Sequence, residues 1–215
     1  MAEGRSAQAT GAKAVLFDFD GVLTTDRVGS DSTIRALGRV LGMPEEQVAD
    51  AYHAHVGDLV LGLKTHDDVL PALSSTLGME VTGHQVREAF AGTPINQPML
   101  DLARSLASRY RTGIVTDNPS DRMRCIVGLH GLDALFDPIV VSADAGTSKS
   151  SEGIFVMALE VMGLSPSEVV FIDNSERNIV MARQVGIHAI HHDDAVNDIE
   201  RLIRTLGQQF GIETA

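Results

Sequence analysis

The sequence predicts an α/β protein with a doubly wound, Rossmann-like parallel sheet, into which an all-helical segment is inserted. Three observations lead to this prediction. Short apolar runs recur along the chain, segments with helical periodicity lie between them, and residues 30–92 show helical periodicity without a convincing strand. Alternating strands and helices are typical of parallel sheets, because neighbouring parallel strands need a crossover connection that is usually a helix.

The predicted strands are short runs in which nearly every residue is apolar, as expected when both faces of a parallel sheet are covered. They lie at residues 14–17, 112–116, 138–141, 169–172 and 187–190. The helical patterns between and after them lie at residues 119–128, 152–162, 175–185 and 196–206. This regular alternation predicts helices on both faces of the sheet.

The long helical stretch interrupts this alternation directly after the first strand. Its apolar residues repeat with helical spacing, as at Ile34 and Leu37. We therefore expect a helical cap domain, residues 30–92, above the carboxyl ends of the strands. The remaining residues, 1–29 and 93–215, are expected to form the α/β core domain.

The composition limits the partners and the location of the protein. The 215-residue chain is 44% hydrophobic and carries a formal net charge of −12 at pH 7. Such an acidic surface repels nucleic-acid phosphates and anionic lipid, so we expect neither nucleic acid nor a membrane as a partner. No apolar run is as long as a membrane helix, and residues 1–11 are typical of a tail and not of a signal peptide, so we expect a cytoplasmic protein. The sequence is compatible with a monomer or a homodimer.

Two aspartates directly after the first predicted strand, Asp18 and Asp20, are the strongest candidates for chemistry. Ligands of open α/β sheets bind outside the carboxyl ends of the strands, and two carboxylates two residues apart can converge there on one point. Gly21 lets the chain turn away without a clashing side chain. The alternative is an Asp-rich turn that caps a helix, since aspartate and glycine are ordinary turn residues.

The ends of the other predicted strands add groups with complementary chemistry. Thr116 offers a hydroxyl, Lys149 an ammonium and Asp173 a further carboxylate. Carboxylate oxygens are ligands that Mg²⁺ prefers, and this ion usually keeps substrate phosphate and water in its remaining positions. A lysine can neutralise phosphoryl oxygens that the metal does not reach. The combination predicts a magnesium–phosphate site at the carboxyl edge of the sheet.

These strand ends resemble, in order, the four motifs of the haloacid dehalogenase-like hydrolases. The motifs are Asp18-Phe-Asp20-Gly21-Val22, then Thr116, then Lys149 with Ile154-Phe155, and then Phe171-Ile-Asp173. The resemblance runs from Lys13 to about Ile190. It is strongest to phosphatases with a helical cap, such as the sugar-phosphate and phosphoglycolate phosphatases. The resemblance implies Mg²⁺-dependent hydrolysis of a small phosphorylated metabolite through an aspartyl phosphate.

The resemblance also implies a role for each matching residue. Asp18 would attack phosphorus as the nucleophile, and Asp20 would act as acid and then as base, because the nucleophile cannot do both. Thr116 and Lys149 would hold the transferring phosphoryl group. Asp18, the main-chain carbonyl of Asp20, and Asp173 would bind Mg²⁺. The aspartate at position 20 distinguishes the phosphatases from the dehalogenases of the family, so it argues against cleavage of a carbon–halogen bond.

Asp117 and Asn118 extend the second motif and are further candidates for substrate binding. Because Pro119 follows, Asn118 is also well placed to cap the next helix, and the capping role is the favoured interpretation.

Two departures from the family pattern concern the metal site and the loop that carries Lys149, here called the lysine loop. Many relatives have a second acid directly after the aspartate that matches Asp173, or four residues after it, where this chain has Asn174 and Arg177. Asn174 is equally compatible with a helix N-cap. Relatives often have proline after the lysine, whereas Ser150 is expected to leave this loop less rigid.

In the predicted cap, four polar residues are the most able to reach a substrate: His53, His55, Lys64 and His66. Two residues apart, His53 and His55 would lie on different faces of a helix, so we do not expect a metal pair. The alternative for each residue is a solvated surface position.

Two other features are given structural interpretations. Cys125 is the single cysteine and lies in a helical pattern, which favours a buried structural thiol. Residues 191–194, His-His-Asp-Asp, follow the last strand and are interpreted as a capped helix start instead of a metal cluster.

Two alternatives to a phosphatase are open at this point. A phosphosugar mutase shares the fold and the nucleophile but returns the phosphoryl group to its substrate. A non-catalytic binding protein would retain the fold alone, and the asparagine at position 174 is the feature that favours it.

Overall fold

The computed structural model describes residues 11–214, so most of the predicted N-terminal tail lies outside the described residues. It contains a five-stranded, all-parallel sheet with the strand order β3-β2-β1-β4-β5. The strands are β1 (Ala14–Phe17), β2 (Arg111–Thr116), β3 (Ile139–Val141), β4 (Val169–Asp173) and β5 (His188–His191). Each strand overlaps a predicted apolar run, and the predicted fold class is confirmed.

Five helices follow the loop after β1 and form the inserted segment. They are α1 (Gly29–Leu41), α2 (Glu45–His53), α3 (Val56–Val60), α4 (His66–Leu77) and α5 (Gly83–Ala91). Capping boxes start α4 and α5: the hydroxyls of Thr65 and Thr82 accept from main-chain N–H groups three residues on, and the side chains of Asp68 and Gln85 accept in return. These local signals explain why the segment is helical.

Helices cover both faces of the sheet, as the apolar strands require. Val15 and Phe17 of β1 belong to one buried cluster, whereas Ala14 and Leu16 belong to another, because successive strand residues point to opposite faces. The core helices are α6 (Gln97–Ala107), α7 (Ser120–His130), α8 (Ser142–Ala145), α9 (Gly153–Met162), α10 (Glu176–Val185) and α11 (Ile199–Phe210). Within residues 11–214, no helix is both long and apolar enough to cross a bilayer.

The two chain segments that lead into and out of the insertion run side by side. Thr25 donates its N–H to the carbonyl of Pro94 (3.0 Å), and Asn96 donates its N–H to the carbonyl of Leu23 (2.9 Å). The side-chain amide of Asn96 also donates to the carbonyl of Val22 (2.9 Å). The chain that leaves the inserted segment is therefore fixed to the chain that enters it.

The last helix begins later than predicted. β5 ends at His191, a turn follows, and α11 starts at Ile199 with Asp198 as its N-cap. The interpretation of residues 191–194 as a helix start is wrong, because the carboxylate of Asp193 accepts from the main-chain N–H two residues on (3.1 Å), within the turn.

Cys125 lies on α7, within the helix expected there, but the thiol is half-buried and not buried. Its Sγ atom is 3.9 Å from the carbonyl oxygen of Arg87 on α5. The sulfur therefore lies where α7 packs against the inserted segment.

Candidate active site

The carboxyl ends of β1 and β4 bring three predicted site residues together. The ammonium of Lys149 lies 2.5 Å from Asp18 Oδ1 and 2.8 Å from Asp173 Oδ2. All three side chains are buried. Asp18 and Asp173 can meet here because β1 and β4 are neighbours in the sheet, with Phe17 paired to Ile172.

A tight turn after β1 fixes the orientation of Asp18. The turn Phe19–Leu23 is closed by the N–H of Thr24, which donates to the carbonyl of Phe19 at 3.0 Å, and the N–H of Phe19 donates to Asp18 Oδ1 at 2.6 Å. Gly21 has a φ of 78°, and a Cβ there would overlap with the side chain of Asn174. Glycine is therefore required for both the backbone conformation and the close approach to the loop after β4.

Asp20 does not point toward Lys149 but forms a buried ion pair with Arg122 on α7. The two terminal nitrogens of the guanidinium each donate to one carboxylate oxygen at 2.9 Å. Asn118 donates to Asp20 Oδ2 at 2.7 Å and to Thr116 Oγ1 at the same distance. These hydrogen bonds from Arg122 and Asn118 fix the orientation of the Asp20 carboxylate.

Sequence reasoning missed Arg122, which is 1% exposed. Its guanidinium also donates to the hydroxyls of Ser32 (3.2 Å) and Thr93 (3.4 Å), which lie at the two ends of the inserted segment. A Cβ at Gly29 would overlap with both Asp20 and Arg122. A signal was present: Arg122 lies four residues before Ile126 and therefore on the buried face of the helix.

The last residue of β2 is Thr116, and the loop after it supplies Asp117 and Asn118, as predicted from the second motif. Asp117 Oδ1 accepts from the main-chain N–H of Lys149 at 2.8 Å, which positions the lysine loop. The interpretation of Asn118 as a helix cap is wrong, because Pro119 is the N-cap of α7 and makes no side-chain cap bond. The Asn118 amide is engaged by the site itself.

Asp173 is held by groups from the start of α10. Its Oδ1 accepts from the N–H of Ser175 (2.7 Å), and Asn178 donates to both of its oxygens (3.2 and 3.0 Å). Sequence reasoning missed Asn178, although its place in the first turn of the helix that follows the aspartate was a usable signal. The N-cap of α10 is Ser175, so the interpretation of Asn174 as that cap is wrong, and Arg177 is exposed outside the site.

The lysine loop closes on itself through hydroxyl groups. Ser150 is exposed, and its Oγ lies 2.7 Å from the Oγ of Ser148, while Thr147 and Ser151 are paired at 2.7 Å. These bonds connect residues on both sides of Lys149.

The predicted cap residues have different environments. His53 and Lys64 are exposed, His55 is half-buried, and Lys64 pairs with Asp58 at 2.9 Å. The fourth residue, His66, is 2% exposed, so the interpretation as solvated surface is wrong for it.

His66 connects the inserted segment to α7. Its Nδ1 lies 2.8 Å from the carboxylate of Asp121, and its Nε2 lies 2.7 Å from the hydroxyl of Tyr52. Burial would raise the pKa of Asp121, but the hydrogen bonds and charge of His66 outweigh it and hold the pKa below its usual value. His66 therefore binds Asp121, which precedes Arg122 in the sequence, and does not border the candidate active site.

The site carries an excess of negative charge. Burial and the Asp173 carboxylate raise the pKa of Asp18 well above its usual range, although Lys149 acts in the opposite direction. Burial alone would lower the pKa of Lys149, but the charges of Asp18 and Asp173 outweigh it and raise that pKa. Buried Asp18, Asp20 and Asp173 thus surround two buried cations, Lys149 and Arg122, so a further positive charge would be stabilised here.

The residues present fit a divalent cation. The carboxylates of Asp18 and Asp173 and the main-chain carbonyl of Asp20 are oxygen donors of the kind that Mg²⁺ prefers. Asp18 and Asp20 border a cleft of about 360 Å³, as do Asn174 and Ser175, which directly follow the buried Asp173. Residues 11–214 contain no group of three or more His, Cys, Asp or Glu side chains that could hold a metal. That finding is compatible with the predicted set, which uses two side chains and one carbonyl.

A buried carboxylate beside a lysine and a second carboxylate, at the carboxyl edge of a parallel sheet, is a site suited to hydrolytic group transfer. Residues 12–186 match the family model of a haloacid dehalogenase-like hydrolase, and the chain belongs to this family.

Individual relatives are similar over most of this chain. Bifunctional epoxide hydrolase 2 from Rattus norvegicus is 25% identical over 225 residues, which cover 92% of this chain but 39% of the relative. The chain thus spans about two fifths of that protein. Sesquiterpene phosphatase astK from Aspergillus oryzae is 24% identical over 202 residues, covering 91% of this chain and 97% of the relative.

A family enzyme from Bacteroides thetaiotaomicron, solved in complex with magnesium and inorganic phosphate, has a similar fold. Its TM-score is 0.71 at 23% identity, and the match covers 90% of this chain and 100% of that one.

Proposed function

We propose that this hydrolase is a magnesium-dependent phosphatase that cleaves a small phosphomonoester by way of a phosphoaspartate on Asp18. The observation that carries the proposal is the contact of Lys149 with both Asp18 and Asp173, at the point where β1 and β4 end. The similarity to a phosphatase over almost its whole length supports the proposal.

The reaction proceeds in two steps. The Asp18 carboxylate attacks phosphorus and the bond to the leaving oxygen breaks. That oxygen takes a proton from Asp20, which enters this step as a protonated carboxyl with one of its two Arg122 bonds released. A water molecule then gives a proton to Asp20 and attacks the same phosphorus, which releases phosphate and regenerates the Asp18 carboxylate. Lys149 and Thr116 hold the phosphoryl oxygens, while Asn118 connects Thr116 to Asp20.

Mg²⁺ would be held by Asp18, Asp173 and the main-chain carbonyl of Asp20. Bound there, it supplies positive charge that favours the ionised nucleophile and neutralises phosphoryl oxygens. Asn178 and Ser175 hold Asp173 in a fixed orientation for this purpose.

The inserted helices act as a cap domain over the site in this proposal. Ser142 donates its hydroxyl to the carbonyl of Val60 at the end of α3 (2.6 Å), and His66 binds Asp121. Both contacts join the segment, residues 30–92, to core elements beside the cleft. A cap in this position excludes bulk water while the phosphoaspartate exists.

The metal requirement is tested by assaying phosphate release from p-nitrophenyl phosphate. Activity is expected to fall to background in a chelator and to return when Mg²⁺ is added in excess, because the proposed ligands are oxygen donors of the kind that Mg²⁺ prefers. Full activity in the chelator would contradict the proposed role of the metal.

A second result is expected from Asn174→Asp. The new carboxylate adds a charged oxygen beside Asp173, so the Mg²⁺ concentration that gives half-maximal activity should fall several-fold while turnover is retained. Arg177→Ala serves as the control, since Arg177 lies near Asn174 in the sequence but is exposed outside the site. Complete loss of turnover in Asn174→Asp would instead assign a specific role to the amide.

A further inference from the structure

A second cavity lies next to the catalytic cleft, between the inserted helices and the loop after β2. Its volume is about 70 Å³. The cavity and the cleft share three lining residues, Val28, Gly29 and Asp117. A group attached to a phosphoryl oxygen in the cleft would therefore find this cavity beside it.

The walls of the cavity are mainly apolar. The inserted helices contribute Tyr52, Val56 and Val60, and the core contributes Pro119 and Val28. An apolar wall stabilises a ligand by removing its carbon surface from water.

Three of the polar side chains that line the cavity are bound to other groups, whereas Ser30 offers a hydroxyl and Asp117 has one oxygen bound to the N–H of Lys149. The amide of Asn118 binds Asp20 and Thr116, and both terminal nitrogens of Arg122 bind Asp20. The hydroxyl of Tyr52 is paired with a histidine on α4 at 2.7 Å. A leaving group with several hydroxyls would lose its hydrogen bonds to water here and find few replacements.

We propose that this cavity receives the leaving group of the substrate and selects a compact, mainly apolar alcohol over a polyol or a sugar. The inference rests on the proposed phosphatase function and names the substrate class of the same site. The volume admits only a short alkyl group, and the engaged polar side chains disfavour a hydroxylated one of the same size.

The test compares two phosphate esters of primary alcohols with equal numbers of non-hydrogen atoms, isopentyl phosphate and glycerol phosphate. The ratio of their kcat/KM values is expected to favour isopentyl phosphate by about ten-fold or more, because selection is by differential binding in the pocket. p-Nitrophenyl phosphate, assayed in parallel, reports whether the phosphatase chemistry is present.

A matched pair of variants tests whether this cavity determines the preference between the two esters. Val56→Thr keeps the shape of the wall but adds a hydroxyl, so it should lower the ratio several-fold, whereas Val161→Thr on α9, where the valine is 58% exposed, should not change it. Thermal unfolding of each variant checks that it is folded.

The outcomes are separable. A wild-type ratio near one, or a preference for glycerol phosphate, would overturn the substrate class even if p-nitrophenyl phosphate is hydrolysed. An unchanged ratio in a folded Val56→Thr variant would overturn the assignment of the cavity. If none of the three esters releases phosphate, the proposed phosphatase function itself fails.

Discussion

Replacing Asp18 with asparagine is expected to lower phosphate release by about 10⁴-fold or more while the protein stays folded. The amide is nearly isosteric with the carboxylate but cannot attack phosphorus as an anion. Asp18 is buried against Lys149 and accepts from the N–H of Phe19, so the turn after β1 fixes the position of its carboxylate. The measurement is kcat/KM with p-nitrophenyl phosphate in saturating Mg²⁺.

Asp101→Asn is the matched control for this result. Asp101 lies on α6 and is exposed, with its carboxylate bonded to Arg104 and Gln97 at the surface. The same chemical change there should leave turnover unchanged. If Asp18→Asn kept most of the wild-type turnover while circular dichroism showed a folded protein, Asp18 would not be the nucleophile.

Replacing Asp20 with asparagine is expected to lower the rate of the first chemical step by on the order of 10²- to 10⁴-fold for an alkyl phosphate. An alkoxide is a poor leaving group and needs the proton that Asp20 gives. The loss should be much smaller for p-nitrophenyl phosphate, because its leaving group departs without protonation. The amide fills the same space but offers one acceptor oxygen, whereas Arg122 and Asn118 donate to two, so circular dichroism checks that the variant stays folded.

Single-turnover kinetics with enzyme in excess separates this first step from the later attack of water. Equal losses for the alkyl and the aryl ester in that experiment would show that Asp20 does not protonate the leaving group. Such a result would assign its carboxylate a purely structural role as the partner of Arg122.

The fold was predictable because its signals are local. Each strand of the parallel sheet is a short apolar run, and the crossover helices follow from the alternation. The bounds of the last helix were less accurate, because Asp193 and Asp198 are both good capping residues and the sequence does not show which of them starts α11.

The residues at the strand ends were predictable for a related reason. Asp18, Lys149 and Asp173 follow elements whose ends must meet at one edge of the sheet, and the structure brings all three together. Arg122 and Asn178 were missed because they lie on helices, where a polar residue is usually exposed. Their contacts depend on how α7 and α10 pack against the site.

The errors in the interpretation of Asn118 and His66 have one physical cause. Asn118 and His66 are residue types with common local roles, as a helix cap and as a solvated side chain. Both are instead buried and bound to partners distant in sequence: Asn118 binds Asp20, and His66 binds Asp121. Long-range hydrogen bonds of this kind leave no periodic pattern in the sequence.

The central claim is a covalent phosphoaspartate on Asp18, and the stereochemical course at phosphorus tests it most directly. A thiophosphate ester made chiral with oxygen isotopes is hydrolysed in water that carries a third isotope, and the configuration of the released thiophosphate is determined. Transfer first to Asp18 and then to water inverts phosphorus twice, so we expect net retention. Net inversion would mean that water attacks the substrate directly, and it would contradict the phosphoaspartate mechanism.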